Sequence, residues 1–299
     1  MAWVTICVVW GTTYLAIRVA LETVPVLLVA GLRWMAAGLI LAAVARATGR
    51  ALPGPRFWPS LALLGFLMNV IGNGFVVWAE QFVPSGLTAV VIASVPFWTV
   101  GVEAWLPGGE RLRAATAVGL AIGFAGIIVL VWPELSAGGS GARQMLAGIA
   151  AIQAACLGWA LGTAYTRRHP SSADPLAAST VQMLLSGVIL LGLATAAGEW
   201  QALHFSPRSL AAIIYLTVAG STIGYTAYVY AIQHLPVSTV SLYAYVNPII
   251  AVVLGALLLG EPFGARVAVA AALVLAGIAV VRRVQSRGVP PPAARRAGA

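Results

Sequence analysis

The sequence predicts an all-α membrane protein: ten transmembrane helices arranged as two inverted five-helix repeats around a central substrate cavity. Three observations carry this. The chain of 299 residues is 61% hydrophobic and only 8% charged, against about 45–50% and about 25% in a soluble domain. Its apolar runs are long and continuous rather than alternating, which points to helices and away from a β-barrel. The second half of the chain also repeats the first at a nearly constant offset. Each span takes about 20 residues, so ten spans leave short loops and no separate soluble domain.

The first apolar segment, 3–20, has no basic stretch ahead of it and no small-residue cleavage site, so it reads as a span and not a cleaved signal peptide. The second, 26–46, ends in the basic stretch from Arg46 to Arg50. Pro53-Gly54-Pro55-Arg56 separates it from the third, 57–80. The fourth, 85–106, follows Pro84 and stops at Pro107-Gly108-Gly109-Glu110. The fifth is 114–132, and a Gly/Ser-rich linker at 138–144 closes the first unit, 1–137. The second unit, 145–283, opens with the sixth span, 145–166, which ends in Arg167-Arg168-His169-Pro170. Spans at 175–197, 208–231, 236–259 and 265–282 follow. Pro96 and Pro248 sit mid-span and are expected to kink the fourth and ninth helices. The tail, 284–299, holds Pro290-Pro291-Pro292 and Arg295-Arg296 and reads as disordered.

All the positive charge is arginine, 17 residues with no lysine. In a soluble chain this would suggest nucleic acid, but here the arginines lie between apolar runs and report topology. With the N-terminus inside, 12 arginines fall in cytoplasmic segments: Arg46, Arg50, Arg56, Arg111, Arg113, Arg167, Arg168, Arg282, Arg283, Arg287, Arg295 and Arg296. Only Arg18, Arg143, Arg208 and Arg266 fall outside. Both termini are therefore expected in the cytoplasm. Cys7 and Cys156 lie inside spans and form neither a disulfide framework nor a metal set.

The repeat is legible in residues that are hard to match by chance. Cys7, Trp10 and Arg18 recur as Cys156, Trp159 and Arg167, at an offset of 149. Gln81, Pro84 and Pro96 recur as Gln233, Pro236 and Pro248, at 152. Gly109-Glu110 recurs as Gly260-Glu261, at 151. Five spans per unit is an odd number, so the second unit enters the membrane from the opposite side, an architecture that puts a substrate site near the midplane between repeats.

The same residues carry a resemblance. Trp10-Gly11-Thr12-Thr13-Tyr14, Arg33, Gln81-Phe82-Val83-Pro84-Ser85-Gly86, Pro96 and Glu110, with Pro236, Pro248 and Gly260-Glu261 in the second half, resemble the drug/metabolite transporter superfamily. In particular they are similar to its ten-span EamA-type exporters, which include YddG-type aromatic amino-acid exporters. The sixth span departs from the pattern, reading Trp159-Ala160-Leu161-Gly162 where Trp-Gly is expected. The resemblance implies export of amino acids or other small metabolites across a bacterial inner membrane.

Polar groups in hydrocarbon are costly and face a cavity or a bundle interior. Asn69, Asn73, Val76 and Glu80 fall on one face of the third helix at helical spacing. Their mates at 152 are Ser221, Tyr225, Tyr228 and Ile232, so two stripes are expected to face each other across the pseudo-axis. The bland alternative is interhelical hydrogen bonding. Trp10, Tyr14, Trp78, Trp98 and Trp159 are in-span aromatics suited to an apolar or aromatic substrate side chain. Asn247 precedes Pro248 and either satisfies a freed carbonyl or faces the ligand. The expected substrate-binding set is thus Trp10, Tyr14, Asn69, Asn73, Trp78, Glu80, Trp98, Trp159, Ser221, Tyr225, Tyr228 and Asn247.

Arg33 and Glu80 are expected to pair with each other, the alternative being that Arg33 meets a substrate carboxylate. Glu103 is expected to pair with the arginines near the inner face. No ionisable group looks both deep and unpaired, so transport reads as facilitated or weakly coupled. Gly119-x3-Gly123 packs either within the bundle or at a dimer face, and the chain is read as a monomer. A small-molecule substrate and the lipid bilayer are its partners. No cofactor, metal or nucleic acid is expected. An intramembrane enzyme lacks the Gly-x-Ser-x-Gly and His-Glu-x2-His patterns it would need. A channel lacks a ring of charges. An exporter of drugs or other metabolites in the same fold is the alternative function.

Overall fold

A backbone inside hydrocarbon must satisfy its own polar groups, and the helix does so within one segment. The computed structural model describes residues 1–107, 114–137, 139–169, 172–235, 240, 242–261 and 263–286. They form α1 (Ala2–Ala20), α2 (Val26–Ala47), α3 (Pro55–Ala79), α4 (Ser85–Trp105), α5 (Ala114–Ala137), α6 (Ser140–Arg168), α7 (Pro175–Ala196), α8 (Pro207–His234), α9 (Tyr243–Leu259) and α10 (Ala265–Ser286). Among the described residues, nine helices are long and apolar enough to cross a membrane, α9 is a shorter apolar helix, and no strand occurs. Gly109, Glu110, Gly138, Pro236 and the tail from 287 onward lie outside the described residues.

Several boundaries differ from expectation, among them the start of the ninth helix, expected at 236 and described from Tyr243. Residues 140–144, expected as linker, are already helical in α6. Gly139, at φ 93°, makes the break, and the good helix formers Ala142, Gln144 and Met145 extend the helix back to it. The tenth helix likewise runs through Arg282 and Arg283 to Ser286.

The packing order exposes the symmetry. Mates pack on mates: α2 on α7, α5 on α10, and α4 on α9. Helix α1 packs against α8 and α9, while its mate α6 packs against α3 and α4. Each unit thus lends its first helix to the other, as two oppositely inserted, two-fold related halves require. Glycines allow the close approaches. A Cβ on Gly277 would meet the Gly119 carbonyl at 2.6 Å and the Gly123 nitrogen at 2.7 Å. The Gly119-x3-Gly123 face is therefore spent inside the bundle, on α10, and not on a second subunit.

Three helices are irregular. Helix α3 has a π-helical turn over Phe66–Ile71, and α8 has one over Leu216–Ile223. The two turns are repeat mates, each close to glycines (Gly65 and Gly72; Gly220 and Gly224) that lower the cost of distortion. Helix α4 breaks at Ala93-Ser94, and Pro96 starts its second piece, as a missing N–H donor allows. Helix α9 instead continues across Pro248.

Acids from the second unit cap helices of the first. Glu261 accepts from the backbone nitrogens of Ser85 (2.7 Å) and Gly86 (3.0 Å) at the start of α4. Glu199 accepts from those of Leu27 and Leu28 at the start of α2, at 3.3 and 3.0 Å. Carboxylates there satisfy orphan donors and complement the helix dipole. At the opposite end, Arg168 holds Glu103 through two 3.0 Å bonds, with Arg167 at 3.6 Å. That ion pair joins α4 to α6 as expected.

Candidate functional site

The two π-turns bring polar groups of both units together at mid-bundle. Arg33 projects from α2, is 4% exposed, and donates through Nε to Ser221 Oγ of α8 at 2.7 Å. Its Nη1 donates to Asn73 Oδ1 of α3 at 3.4 Å. So the guanidinium bridges the two stripes, and it also lies over the Trp34 ring at 4.8 Å.

An aromatic wall adjoins it. Trp10 of α1 meets Tyr228 (ring centroids 5.3 Å) and Tyr225 (6.3 Å) of α8, and the edge of Tyr243 of α9 at 5.2 Å. Tyr225 in turn meets Trp34 edge-on at 6.3 Å. The Trp10 indole nitrogen donates to the Gly220 carbonyl at 3.1 Å. Tyr14, one turn along α1, packs on the same core and lies within electrostatic reach of both Arg33 and Glu80.

The expected set therefore divides. Trp10, Tyr14, Asn73, Ser221, Tyr225 and Tyr228 come together. Asn69 is fully buried but turns to α7, donating to Ser186 Oγ at 3.1 Å. The π-turn is the cause: its extra residue per turn takes Asn69 off the face that Asn73 holds, so the helical spacing does not carry through. Trp78 is 37% exposed and rests against Phe82 on the outside of the bundle. Trp98 donates to Gln153 Oε1 at 2.7 Å in a separate α4–α6 network with Ser94. Trp159 is half-buried, and among the described residues no ring contact joins it to the Trp10 wall. Its counterparts of Tyr225 and Tyr228 are Asn73 and Val76, so the wall has no mirror image. The Asn247 amide, oriented to satisfy its donors, bonds the carbonyls of Tyr243 (3.1 Å) and Cys7 (3.0 Å), tying α9 to α1.

The expected Arg33–Glu80 ion pair does not form. Arg33 is turned towards Ser221 and Asn73, whereas Glu80 caps the end of α3. Glu80 is 0% exposed and neither carboxyl oxygen has a hydrogen-bond partner. It is thus buried without a hydrogen-bond partner, which weakens the ground for reading transport as facilitated or weakly coupled. Other buried atoms without a partner include Trp34 Nε1 on α2, Asn69 Oδ1 on α3, Ser85 Oγ and Thr88 Oγ1 on α4, and Gln182 Nε2 on α7.

Arg33, Trp34, Tyr243 and Gln182 are the members of this region that the expected set left out. Arg33 carried a signal in sequence, as the one arginine deep within a span. Trp34 and Tyr243 were lost among the many apolar-face aromatics. A cavity of about 170 Å³ lies apart from these residues, beside Glu261, between Leu87, Met145, Val252 and Val267. Among the described residues no cluster of metal-ligating side chains occurs.

Comparison with known proteins agrees with this architecture. The model of the EamA-like transporter family matches twice, over residues 1–132 and 146–283. The chain is 39% identical over 256 residues to the "uncharacterized inner membrane transporter YedA" of Escherichia coli K12, covering 85% of this chain and 80% of that one. It is 25% identical over 286 residues, 91% of each, to the "probable amino-acid metabolite efflux pump" of the same strain. One solved crystal structure superposes with a TM-score of 0.64 over 96% of each chain, at 22% identity, a likeness of fold. With both halves matched by one family model and mates packed on mates, this chain belongs to the EamA-like transporter family and is a multi-pass membrane transporter.

Proposed function

We propose that the chain exports small metabolites, chiefly neutral and aromatic amino acids, across the bacterial inner membrane by alternating access. It works as a monomer with both termini in the cytoplasm. The observation that carries this reading is that buried polar atoms on the helices of the repeat interface lack partners: both Glu80 oxygens and Trp34 Nε1. Native proteins pair nearly all such atoms, and each exception calls for an explanation. A polar ligand supplies the missing partners. The wall of Trp10, Tyr225, Tyr228 and Tyr243 beside them suits an apolar or aromatic side chain. The relative named as an amino-acid metabolite efflux pump supports the same class.

Purified protein in proteoliposomes, assayed with a panel of labelled amino acids, tests this. Saturable flux of L-phenylalanine or L-leucine, competed by other neutral amino acids, is the expected result. Flux of none of the panel sinks the reading. Repeating the assay under a pH gradient reads whether protons move with the substrate.

A further inference from the structure

Arg33 and Glu80 are opposite charges, both buried, on neighbouring helices of one unit, and they do not pair. Their separation exceeds the 4.0 Å of an ion pair, although each lies in the other's field. Burying two charges is expensive, and direct pairing is the usual relief. Here the relief is withheld. Arg33 is held by two neutral oxygens, Ser221 Oγ and Asn73 Oδ1. A guanidinium has five N–H donors, so these two bonds leave donors over and the charge uncompensated. Arg18 from α1 donates through Nη1 to the Glu80 backbone carbonyl and brings a second positive charge near the carboxyl, but no hydrogen bond reaches either carboxyl oxygen. The remaining ionisable groups that face Glu80 are Tyr14 from α1 and Glu261 from the turn after α9. Glu261 is already committed to the start of α4.

We propose that Arg33 and Glu80 are the two ends of one receptor, which admits only substrates bearing both a carboxylate and an ammonium group. The proposal rests on the export reading above and names the residues that enforce it. The substrate carboxylate takes the spare Arg33 donors as a charge-assisted pair. Its ammonium group takes the bare Glu80 oxygens. An α-amino acid carries these charges on adjacent carbons, so it fits between groups too far apart to meet each other, with Tyr14 alongside both. The side chain then lies on the Trp34, Tyr225 and Trp10 rings. Holding the two charges apart costs stability in the empty protein and is recovered only by a two-ended ligand, a common bargain at functional sites.

The test crosses ligand charges with protein charges. Full-length protein in nanodiscs is titrated with L-phenylalanine, phenylpropionate (no amine) and phenethylamine (no carboxylate). Wild type is expected to bind L-phenylalanine at least about 10-fold more tightly than either analogue. Glu80→Gln abolishes the preference over phenylpropionate and keeps the preference over phenethylamine. Arg33→Gln does the reverse, and Arg33→Lys, which keeps the charge, falls between wild type and Arg33→Gln. The ligand-free melting temperature of Glu80→Gln equals or exceeds wild type. Wild-type binding of L-phenylalanine without this cross pattern, or a uniform loss for all three ligands with a lowered melting temperature, overturns the two-ended receptor alone. Wild type that binds none of the three overturns the export reading for aromatic amino acids, and the receptor with it.

Discussion

The Trp10 indole nitrogen lies 3.1 Å from the Gly220 carbonyl and donates to it, so the first helix of one unit is tied to the π-helical turn of the other. Glycines make room for this. A Cβ on Gly224 would sit 2.5 Å from Trp10 Nε1, and one on Gly220 would sit 3.0 Å from Thr13 Cγ2. Trp10→Phe keeps an aromatic ring but removes the donor and part of the indole, and costs about 1 kcal/mol or more. Gly224→Ala forces the indole aside, and costs about 1–3 kcal/mol. Thermal unfolding in detergent checks both, with Gly224→Ala the lower. Equal melting temperatures for all three proteins would show that the contact carries no stability.

The two asparagines of α3 separate a structural role from a functional one. Asn69 bonds Ser186 across to α7, whereas Asn73 bonds Arg33. Interhelical side-chain bonds in membranes average about 0.6 kcal/mol. Asn69→Ala is therefore expected to lower the melting temperature slightly with transport intact. Asn73→Ala frees Arg33 from one of its two neutral anchors and is expected to weaken apparent substrate affinity about 5-fold or more, with normal expression. The reverse assignment of effects would move the site towards α7.

Much of this was legible in the chain. Ten apolar runs separated by Pro, Gly and Arg give the helices, and paired landmarks such as Pro96 with Pro248 give the repeat and hence the inverted architecture. The site was half legible. Residue types pointed to Trp10, Asn73, Ser221 and Tyr225, because polar or aromatic groups at mates converge at the axis. What failed was angular placement. A π-turn changes the residues per turn, so a stripe drawn at regular helical spacing through Phe66–Ile71 puts Asn69 on the wrong face. Charge pairing failed for another reason: proximity along two helices says nothing about which acceptor a long guanidinium finds first.

The α5–α10 seam makes a sharper prediction about packing. Gly277 faces backbone, the Gly119 carbonyl and the Gly123 nitrogen, which cannot rotate away. Gly277→Ala is expected to destabilise by about 1–3 kcal/mol and to reduce yield. Gly192 on the exposed side of α7 has nothing within 4 Å of its Cβ position. Gly192→Ala is expected to be neutral or to stabilise by up to about 1 kcal/mol through helix propensity. Melting temperatures of the pair, measured in one detergent, check this.

Glu261 holds the start of α4 from the far unit through two backbone bonds. The preceding Gly260, at φ 63°, lets the chain turn so that the carboxylate can reach. Glu261→Gln keeps the size, loses charge and one acceptor, and is expected to cost about 0.5–2 kcal/mol. Glu199→Gln should behave alike at α2, and the two losses should add, since they cap different helices. A double variant no less stable than either single one would mean that the caps act on one shared closure.

Orientation can be read by cysteine labelling because the native thiols do not interfere: Cys7 and Cys156 are both buried within helices. The arginine bias puts the turn before α6 outside and the turn between α2 and α3 inside. Ser140 begins α6 and is exposed, and Gly54 lies in the other turn with nothing within 4 Å of its Cβ position. Neither site has a partner that a cysteine would remove from the core. A membrane-impermeant maleimide added to intact cells is expected to label Ser140→Cys, to spare Gly54→Cys, and to reach Gly54→Cys only after the cells are opened. The opposite pattern would invert the protein in the membrane. The start of α4 and its Glu261 clasp would then lie at the cytoplasmic end of the bundle.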